Sequence, residues 1–222
     1  MTDFSKVIIV AGGSIDKDYL KEQLKIFSYS FIVGVDKGLE VLKAIEIVPN
    51  LMIGDFDSAT SKVVDYFQSQ SVEVIKLNPI KDDTDMEFAI RESIRRYPGV
   101  EIVIFGGSGT RLDHTFANME LLHIGYENEP VTKIMLLDPN NKVTLLGAGT
   151  INIVKNEQYG RFVSLLCYTD EVKGLTLKGM KYNLEKINIQ KGTSLCISNE
   201  IIDETATIDF DEGMMYLVEA LD

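Results

Sequence analysis

Residues 101–114 have the sequence EIVIFGGSGTRLDH, in which a short apolar run leads directly into a glycine-rich turn. A run of Val, Ile and Phe of this length is typical of a buried strand, and the glycines mark a tight connection to the next element. The same order occurs earlier in the chain, where KVIIVA precedes Gly12-Gly13 and LMIG precedes Asp55. Such strand-and-turn segments, when a helical pattern follows, predict βαβ units.

Apolar runs alternate with amphipathic segments on both sides of this stretch. The predicted strands cover residues 6–11, 31–35, 51–54, 72–77, 101–105 and 133–137, and the predicted helices cover 17–27, 38–47, 61–70, 84–97 and 115–125. Strands rich in Val and Ile that alternate with helices predict a mostly parallel sheet, buried on both faces. The first part of the chain is therefore predicted to be an α/β domain.

The pattern changes at Asp138-Pro139-Asn140-Asn141, which is a dense turn signal. After it, short half-alternating strands are predicted at 142–146, 162–168, 174–177, 182–184, 194–198, 206–210 and 214–218. Strands at such regular intervals predict a β-sandwich or a barrel. We therefore expect an α/β domain with a mostly parallel sheet over residues 1–140, followed by an all-β, sandwich-like domain over residues 141–222.

Charge and cysteine content exclude several classes of protein. The 222 residues include 22 Lys and Arg and 34 Asp and Glu, which gives a formal net charge of −12. This charge repels a phosphate backbone and an acidic membrane, so no nucleic-acid partner and no membrane association are predicted. The two cysteines, Cys167 and Cys196, are predicted to lie in buried strands, and their spacing fits no disulfide framework or CxxC site. A cytoplasmic location is expected.

Carboxylates follow the predicted strands at several places. In GDFDS, Asp55 and Asp57 are two residues apart, and in KDDTD, Asp82 and Asp85 follow the next strand. Because parallel strands end at the same edge of the sheet, these side chains should converge there, where a divalent cation would relieve their repulsion. An Asx-turn with a helix cap explains GDFDS equally well. A capping box of Thr84 with a Glu three residues later explains part of KDDTD.

The turn GGSGTRLDH admits two interpretations as well. Its backbone amides, including that of Gly107, could hold phosphates at the start of the next helix, and Arg111 beside Asp113 favours this interpretation. The turn is neither a Walker A loop nor a complete GxGxxG motif. On the glycines alone, an ordinary strand-to-helix turn is the simpler interpretation.

Together these segments resemble the bacterial thiamine pyrophosphokinase family. The resemblance rests on GDFDS at 54–58, KDDTD at 81–85, GGSGTRLDH at 106–114 continuing into Ala117-Asn118, and CISNE at 196–200. It implies a nucleotide-binding α/β domain followed by a thiamine-binding β-sandwich. The implied activity is Mg²⁺-dependent transfer of the pyrophosphoryl group of ATP to the hydroxyl of thiamine, with release of AMP. The resemblance also implies a homodimer with its active site between subunits.

The family's functional residues can be placed on this sequence by position. The catalytic and metal-binding carboxylates would be Asp55, Asp57, Asp82 and Asp85, with Asp113 as a further catalytic or nucleotide-binding group. Asp36, Gly38, Gly107 and Arg111 would lie at the nucleotide, and Ser198 and Asn199 would meet the thiamine pyrimidine. Animal relatives use a tryptophan near thiamine, and this chain contains no tryptophan.

Two other functions fit the same residues. One is a metal-dependent phosphotransferase on the same scaffold that uses ATP with a different alcohol or releases ADP. The other is a non-catalytic nucleotide-sensing module whose carboxylates hold Mg-ATP. The products formed from ATP and thiamine distinguish all three.

Overall fold

A computed structural model describes residues 4–56, 59, 61–78, 83–109 and 111–222. Two of the predicted metal-binding residues, Asp57 and Asp82, lie outside these ranges. The chain divides into two compact units, one ending at Pro139 and the other covering Asn140–Asp222.

The first unit has the predicted α/β architecture, with strands and helices that alternate along the chain. The strands are β1 Lys6–Val10, β2 Ser30–Val35, β3 Leu51–Gly54, β4 Glu73–Lys76, β5 Ile102–Phe105 and β6 Ile134–Leu137. The helices are α1 Lys17–Ile26, α2 Gly38–Ala44, α3 Ser61–Ser69, α4 Asp85–Arg96 and α5 Leu112–Glu120.

These strands are parallel and lie in the order β4-β3-β2-β1-β5-β6. Val7, Ile8, Ile9 and Val10 of the central strand β1 are completely buried, as expected for a strand with helices on both faces of its sheet. The chain moves outward in one direction from β1 to β4 and in the other from β5 to β6. The carboxyl ends of β1 and β5 therefore form a topological switch point, where open α/β sheets bind ligands.

The start of α4 follows the predicted capping signal in part. The hydroxyl of Thr84 accepts a hydrogen bond from the backbone N–H of Glu87 at 3.1 Å, which satisfies one of the free N–H groups of the first turn. The Glu87 carboxylate pairs with Arg91 instead of returning to the cap. The predicted helix over 115–125 begins earlier, at Leu112, and gives way to a 3-10 turn over Leu121–Tyr126.

The second unit is all-β and antiparallel. Its strands are β7 Asn141–Val154, β8 Phe162–Cys167, β9 Glu171–Lys178, β10 Leu184–Gln190, β11 Asn199–Glu200 and β12 Thr205–Ala220. The long strand β12 pairs with β7 along its length, with β9 through its first half and with β8 through its second half. Side chains from both halves meet in one apolar core. The α/β and sandwich-like fold classes are thus both confirmed.

A bulge in β12 explains why the sequence pattern predicted two strands there. The pairing with β7 is irregular between Phe210 and Met214, and Gly213 has a φ of 99°. Ala206, Ile208 and Phe210 face the core before the bulge, whereas Met215 and Leu217 face it afterwards. The extra residues change which positions point inward, so the alternation breaks although the strand continues.

The predicted strand over 194–198 is wrong. The strand in this region is Asn199–Glu200, and it pairs with β8. Ser198 has a φ of 57°, which interrupts extended backbone. Cys196 is buried as expected, but it lies in the turn before β11, where its carbonyl accepts a hydrogen bond from Leu165 at 2.9 Å.

The predicted strand over 182–184 lies too early, since β10 runs from Leu184 to Gln190.

Within the described parts of the chain, no helix is both long enough and apolar enough to cross a membrane.

Candidate active site

Two glycine-containing loops meet at the switch point. The N–H of Gly13 donates to the carbonyl of Gly106 at 3.0 Å, and the N–H of Ser14 donates to the carbonyl of Ser108 at 2.9 Å. A Cβ atom at Gly13 would lie 2.2 Å from the Ser108 oxygen, so any side chain there would separate the loops. The loops after β1 and β5 therefore form one backbone surface at the carboxyl edge of the sheet.

Three carboxylates converge farther along the same edge. Asp36 follows β2, Asp55 follows β3 and Asp85 is the first residue of α4. One oxygen from each lies within 4.8 Å of the others, and all three side chains are partly buried. We refer to Asp36, Asp55 and Asp85 as the carboxylate cluster. A Cβ atom at Gly54, which has a φ of 155°, would lie 2.0 Å from Asp36 Oδ1.

The electrostatics of the cluster are unfavourable without a counter-charge. The pKa of Asp36 is raised to about 7, first by burial and then by its proximity to Asp85 and the charge of Asp55, while the Phe56 N–H acts in the opposite direction. Asp36 Oδ1 is buried and has no hydrogen-bond donor among the described residues. Because its neighbours are carboxylates, they can satisfy this oxygen only by sharing a proton or by sharing a cation.

This donor set fits a divalent metal ion. Mg²⁺ binds oxygen ligands at about 2.0–2.1 Å in octahedral geometry, so its ligands lie about 3–4 Å apart. The cluster, with its oxygens within 4.8 Å, needs only a slight contraction to reach that spacing. The predicted participation of Asp57 and Asp82 concerns residues outside the described ranges and stays a prediction.

Asp36 was expected near the nucleotide, and the structure brings it into the carboxylate cluster. The signal was present in the sequence, because Asp36 ends a predicted strand in the same way as Asp55. What the sequence did not show is that Gly54 leaves space for the Asp36 carboxylate. Gly38, two residues after Asp36, is buried where α2 packs on β1. A Cβ atom at Gly38 would lie 2.0 Å from the Val10 oxygen.

The pair Arg111 and Asp113 lies in the open at the start of α5. Arg111 Nη2 donates to Asp113 Oδ2 at 2.6 Å, and both side chains are about two-thirds exposed, at 67% and 64%. The pKa of Asp113 is lowered by Arg111 and also by the His114 N–H. An exposed pair of this kind is weak, so a phosphate can replace Asp113 as the partner of Arg111 at little cost.

Asn118 is a positioning residue whose role the sequence did not reveal. Its buried side-chain amide donates to the carbonyl of Gly107 at 2.7 Å. Gly107 itself is packed so closely that a Cβ atom would lie 2.5 Å from Leu136 Cδ2. These two contacts fix the glycine-rich turn against α5 and β6, and they explain why an Asn in the middle of a helix belongs to the same motif as the turn.

The two predicted thiamine-binding residues of the β unit differ in accessibility. Ser198 is exposed, and its N–H donates to Ser164 Oγ at 2.9 Å. Asn199 is only 4% exposed. Its Oδ1 accepts from the Tyr182 N–H at 3.0 Å, and its Nδ2 donates to the Tyr182 carbonyl at 2.8 Å. Within this unit, the Asn199 amide therefore holds the backbone of Tyr182 instead of facing solvent.

Tyr182 is the aromatic residue that these bonds fix in place. Its side chain is 60% exposed although its backbone is bonded on both sides by a buried amide. An exposed ring on a fixed backbone is a suitable surface for a flat or cationic ligand. The chain contains no tryptophan, and Tyr182 is an exposed aromatic residue whose backbone is bonded to Asn199, next to Ser198.

In the metal-free protein, the free energy of unfolding is expected to fall as the pH rises from about 4 to about 7. Asp36 has a pKa of about 7 in the folded protein against an ordinary value of 3.8. Between these values the native state keeps a proton that the unfolded state has lost, so raising the pH favours unfolding. Urea denaturation in EDTA across this pH range measures the slope. It should shrink in Asp36→Asn or with added Mg²⁺, and an unchanged slope in Asp36→Asn contradicts the assignment.

The fold and these side chains define a class of protein in which an α/β unit with a carboxylate cluster at its strand ends, suited to a charged ligand, is followed along the chain by a β-sandwich unit. Family profiles for the thiamin pyrophosphokinase catalytic domain and the thiamin pyrophosphokinase vitamin B1 binding domain match residues 23–135 and 149–215, respectively. The chain belongs to the thiamin pyrophosphokinase family.

Individual relatives agree with this assignment. The chain is 33% identical to thiamine pyrophosphokinase of Bacillus subtilis over 190 residues, which cover 86% of this chain and 87% of the relative. The crystal structure of the Bacillus subtilis protein matches with a TM-score of 0.85 at 32% identity, covering 98% of this chain and 99% of that one. A thiamin pyrophosphokinase family protein from Enterococcus faecalis gives a TM-score of 0.81 at 31% identity, with 98% and 100% coverage.

Proposed function

We propose that this protein is a thiamine diphosphokinase, which transfers the pyrophosphoryl group of ATP to the hydroxyl of thiamine and releases AMP. The observation that carries the proposal is the carboxylate cluster, at the same edge of the sheet as the glycine-rich turn, in a chain that matches both domains of the family. Residues 1–140 supply the nucleotide and metal site, and residues 141–222 supply the thiamine site.

The chemistry requires positioning and charge neutralisation more than covalent work by the protein. Asp36, Asp55 and Asp85, together with Asp57 and Asp82, would hold Mg²⁺, and the ion would offset the charge of the triphosphate. Arg111 exchanges Asp113 for a phosphate, and Asp113 then orients the reacting groups. Gly107 and its neighbours bring backbone close to the phosphates, with Asn118 holding the turn in shape.

On the thiamine side, Ser198 bonds the pyrimidine, Tyr182 provides a flat surface for the rings, and Asn199 positions Tyr182. This assignment revises the sequence-based role of Asn199, because both ends of its amide are used by the Tyr182 backbone. The thiazolium ring of thiamine carries a positive charge, which an aromatic face favours.

Removing these side chains is expected to weaken the use of thiamine more than the use of ATP. Ser198→Ala removes one neutral hydrogen bond, which is worth roughly 0.5–1.5 kcal/mol, so the KM for thiamine should rise about 2- to 10-fold. Tyr182→Ala should raise it by a similar factor, whereas Tyr182→Phe keeps the ring and should stay close to wild type. Steady-state kinetics measure both substrates. An unchanged thiamine KM in Ser198→Ala and Tyr182→Ala disconnects this segment from the substrate.

We also propose that the protein acts as a homodimer, in which the nucleotide unit of one subunit and the β unit of its partner complete each active site. This proposal is supported by the division of the candidate residues between residues 1–140 and residues 141–222.

The free, buried state of Cys167 and Cys196 supports a reducing, cytoplasmic location.

The experiment that tests the function combines purified protein, thiamine, ATP and Mg²⁺, followed by chromatography of nucleotides and thiamine esters. We expect thiamine diphosphate and AMP in equal amounts, and no product in EDTA. ADP with thiamine monophosphate identifies a different phosphotransferase. Binding of ATP without thiamine-dependent turnover identifies a nucleotide-sensing module.

A further inference from the structure

We propose that Lys37 binds the polyphosphate of the nucleotide, an inference that rests on the proposed function and adds a residue to its site. Lys37 comes directly after Asp36 and is the N-cap residue of α2, with a φ of −60° and a ψ of −18°. Its side chain is exposed. A positive charge is thus available at the carboxyl edge of the sheet, one residue from the carboxylate cluster.

Packing places Lys37 beside the switch point. A Cβ atom at Gly12 would lie 3.0 Å from Lys37 Cβ and 3.8 Å from Lys37 Cγ. The stem of the lysine therefore begins against the loop that follows β1. That loop continues into Gly13 and Ser14, which bond to the loop that follows β5.

A positive charge at this position offsets the repulsion between the carboxylate cluster and the nucleotide phosphates. The cluster of three carboxylates must accept a triphosphate that carries several negative charges of its own, and the two repel each other. One bound Mg²⁺ offsets only part of this repulsion. Arg111, after exchanging Asp113 for a phosphate, adds only one further positive charge. An ammonium group on a flexible stem is well suited to phosphate oxygens whose positions change during transfer.

The path of the nucleotide connects these two observations. Ligands of open α/β sheets bind at the switch point, here between β1 and β5. The carboxylate cluster follows β2, β3 and β4, and in strand order its member nearest the switch point is Asp36, directly before Lys37. A nucleotide that binds at the switch point and presents its phosphates to the cluster must pass the end of β2, where Lys37 stands.

The alternative is that Lys37 acts only as a counter-charge for Asp36. The two roles differ in what the loss of the lysine changes. A phosphate-binding lysine raises the affinity for polyphosphate. A simple counter-charge to Asp36 instead lowers the affinity for Mg²⁺, because it repels the cation. The loss of a mere counter-charge would strengthen cation binding and leave the nucleotide unaffected.

The test is calorimetric binding of α,β-methylene ATP, in which the bond broken during transfer is blocked, and of AMP, both with Mg²⁺ and without thiamine. We expect Lys37→Met to weaken the analogue about 10-fold, equivalent to about 1.4 kcal/mol, and to reduce the salt dependence of its binding. AMP should weaken less than about 3-fold. Lys37→Arg should recover most of the affinity. All variants should melt at the wild-type temperature.

The matched control is Lys25→Met. Lys25 is exposed in the last turn of α1, which leads back toward the start of β2 and hence toward the opposite edge of the sheet. Equal analogue affinities in Lys37→Met and Lys25→Met overturn the proposal, as does equal weakening of AMP and the analogue, or tighter Mg²⁺ with unchanged nucleotide. These outcomes are separate from failure of the proposed function, which would appear as wild-type protein that forms no AMP and thiamine diphosphate.

Discussion

Asp85→Asn is expected to lower turnover by at least about two orders of magnitude while leaving the protein folded. Asp85 contributes one oxygen to the carboxylate cluster, and, after burial, its proximity is the main cause of the raised pKa of Asp36. The substitution removes a metal-binding charge but keeps the shape of the side chain. Asp55→Asn should behave in the same way. Steady-state rates at saturating Mg²⁺ and thiamine measure the effect.

The matched control for this experiment is Asp83→Asn. Asp83 is exposed, lies two residues before Asp85 and is not part of the cluster. Its replacement removes the same charge from the same segment and should leave turnover close to wild type. The metal-free Asp85→Asn protein should also resist urea at least as well as wild type, because one repulsive charge is gone. Near-normal turnover in both Asp85→Asn and Asp55→Asn would reduce the cluster to a structural feature.

Mixing two impaired variants is expected to raise activity above that of either one if the active site is shared between subunits. One variant is Asp85→Asn, and the other is Ser198→Ala/Tyr182→Ala, assayed at low thiamine. After random exchange, half of the dimers are mixed, and one site in each mixed dimer combines an intact nucleotide unit with an intact β unit. Activity should therefore reach about a quarter of the wild-type value.

Subunit exchange has to be shown independently, for example by energy transfer between labelled subunits. If exchange is blocked by cross-linking each variant beforehand, the activity of the mixture should remain the average of the two variants. Complete exchange without recovery would place both halves of the site in one chain and reject the shared site. The pyrophosphoryl transfer itself is tested separately, by its products.

Much of the fold could be predicted because it depends on local pattern. The Val- and Ile-rich run at β1 has few alternatives to a buried parallel strand, and Thr84 does cap α4. The pattern failed where tertiary structure determines the conformation. The bulge at Gly213 reverses the inward positions of β12, and the positive φ of Ser198 ends what looked like a strand.

The candidate site was predictable only in its composition. Strand-end carboxylates are visible in sequence, so Asp55 and Asp85 were predicted as metal ligands, and the structure places them together with Asp36. Their distances depend on strand order, which the sequence does not state. The roles of Asn118 and Asn199 could not be predicted either, since both act through backbone groups far away in the chain. Buried amides of this kind leave no periodic signal.

The long strand β12 has a consequence for how the β unit opens. The strand β12 is hydrogen-bonded to β7, to β8 and to β9. Neither β8 nor β9 can therefore detach without breaking hydrogen bonds to a strand that also holds the other two. Local opening should therefore be confined to the turns, and the amides of β7 and β12 should exchange with solvent together, through one cooperative transition. The Ser198 turn then rests on a scaffold whose fluctuations are all-or-none, so substrate access would be controlled by side-chain motion and not by partial unfolding of the sandwich.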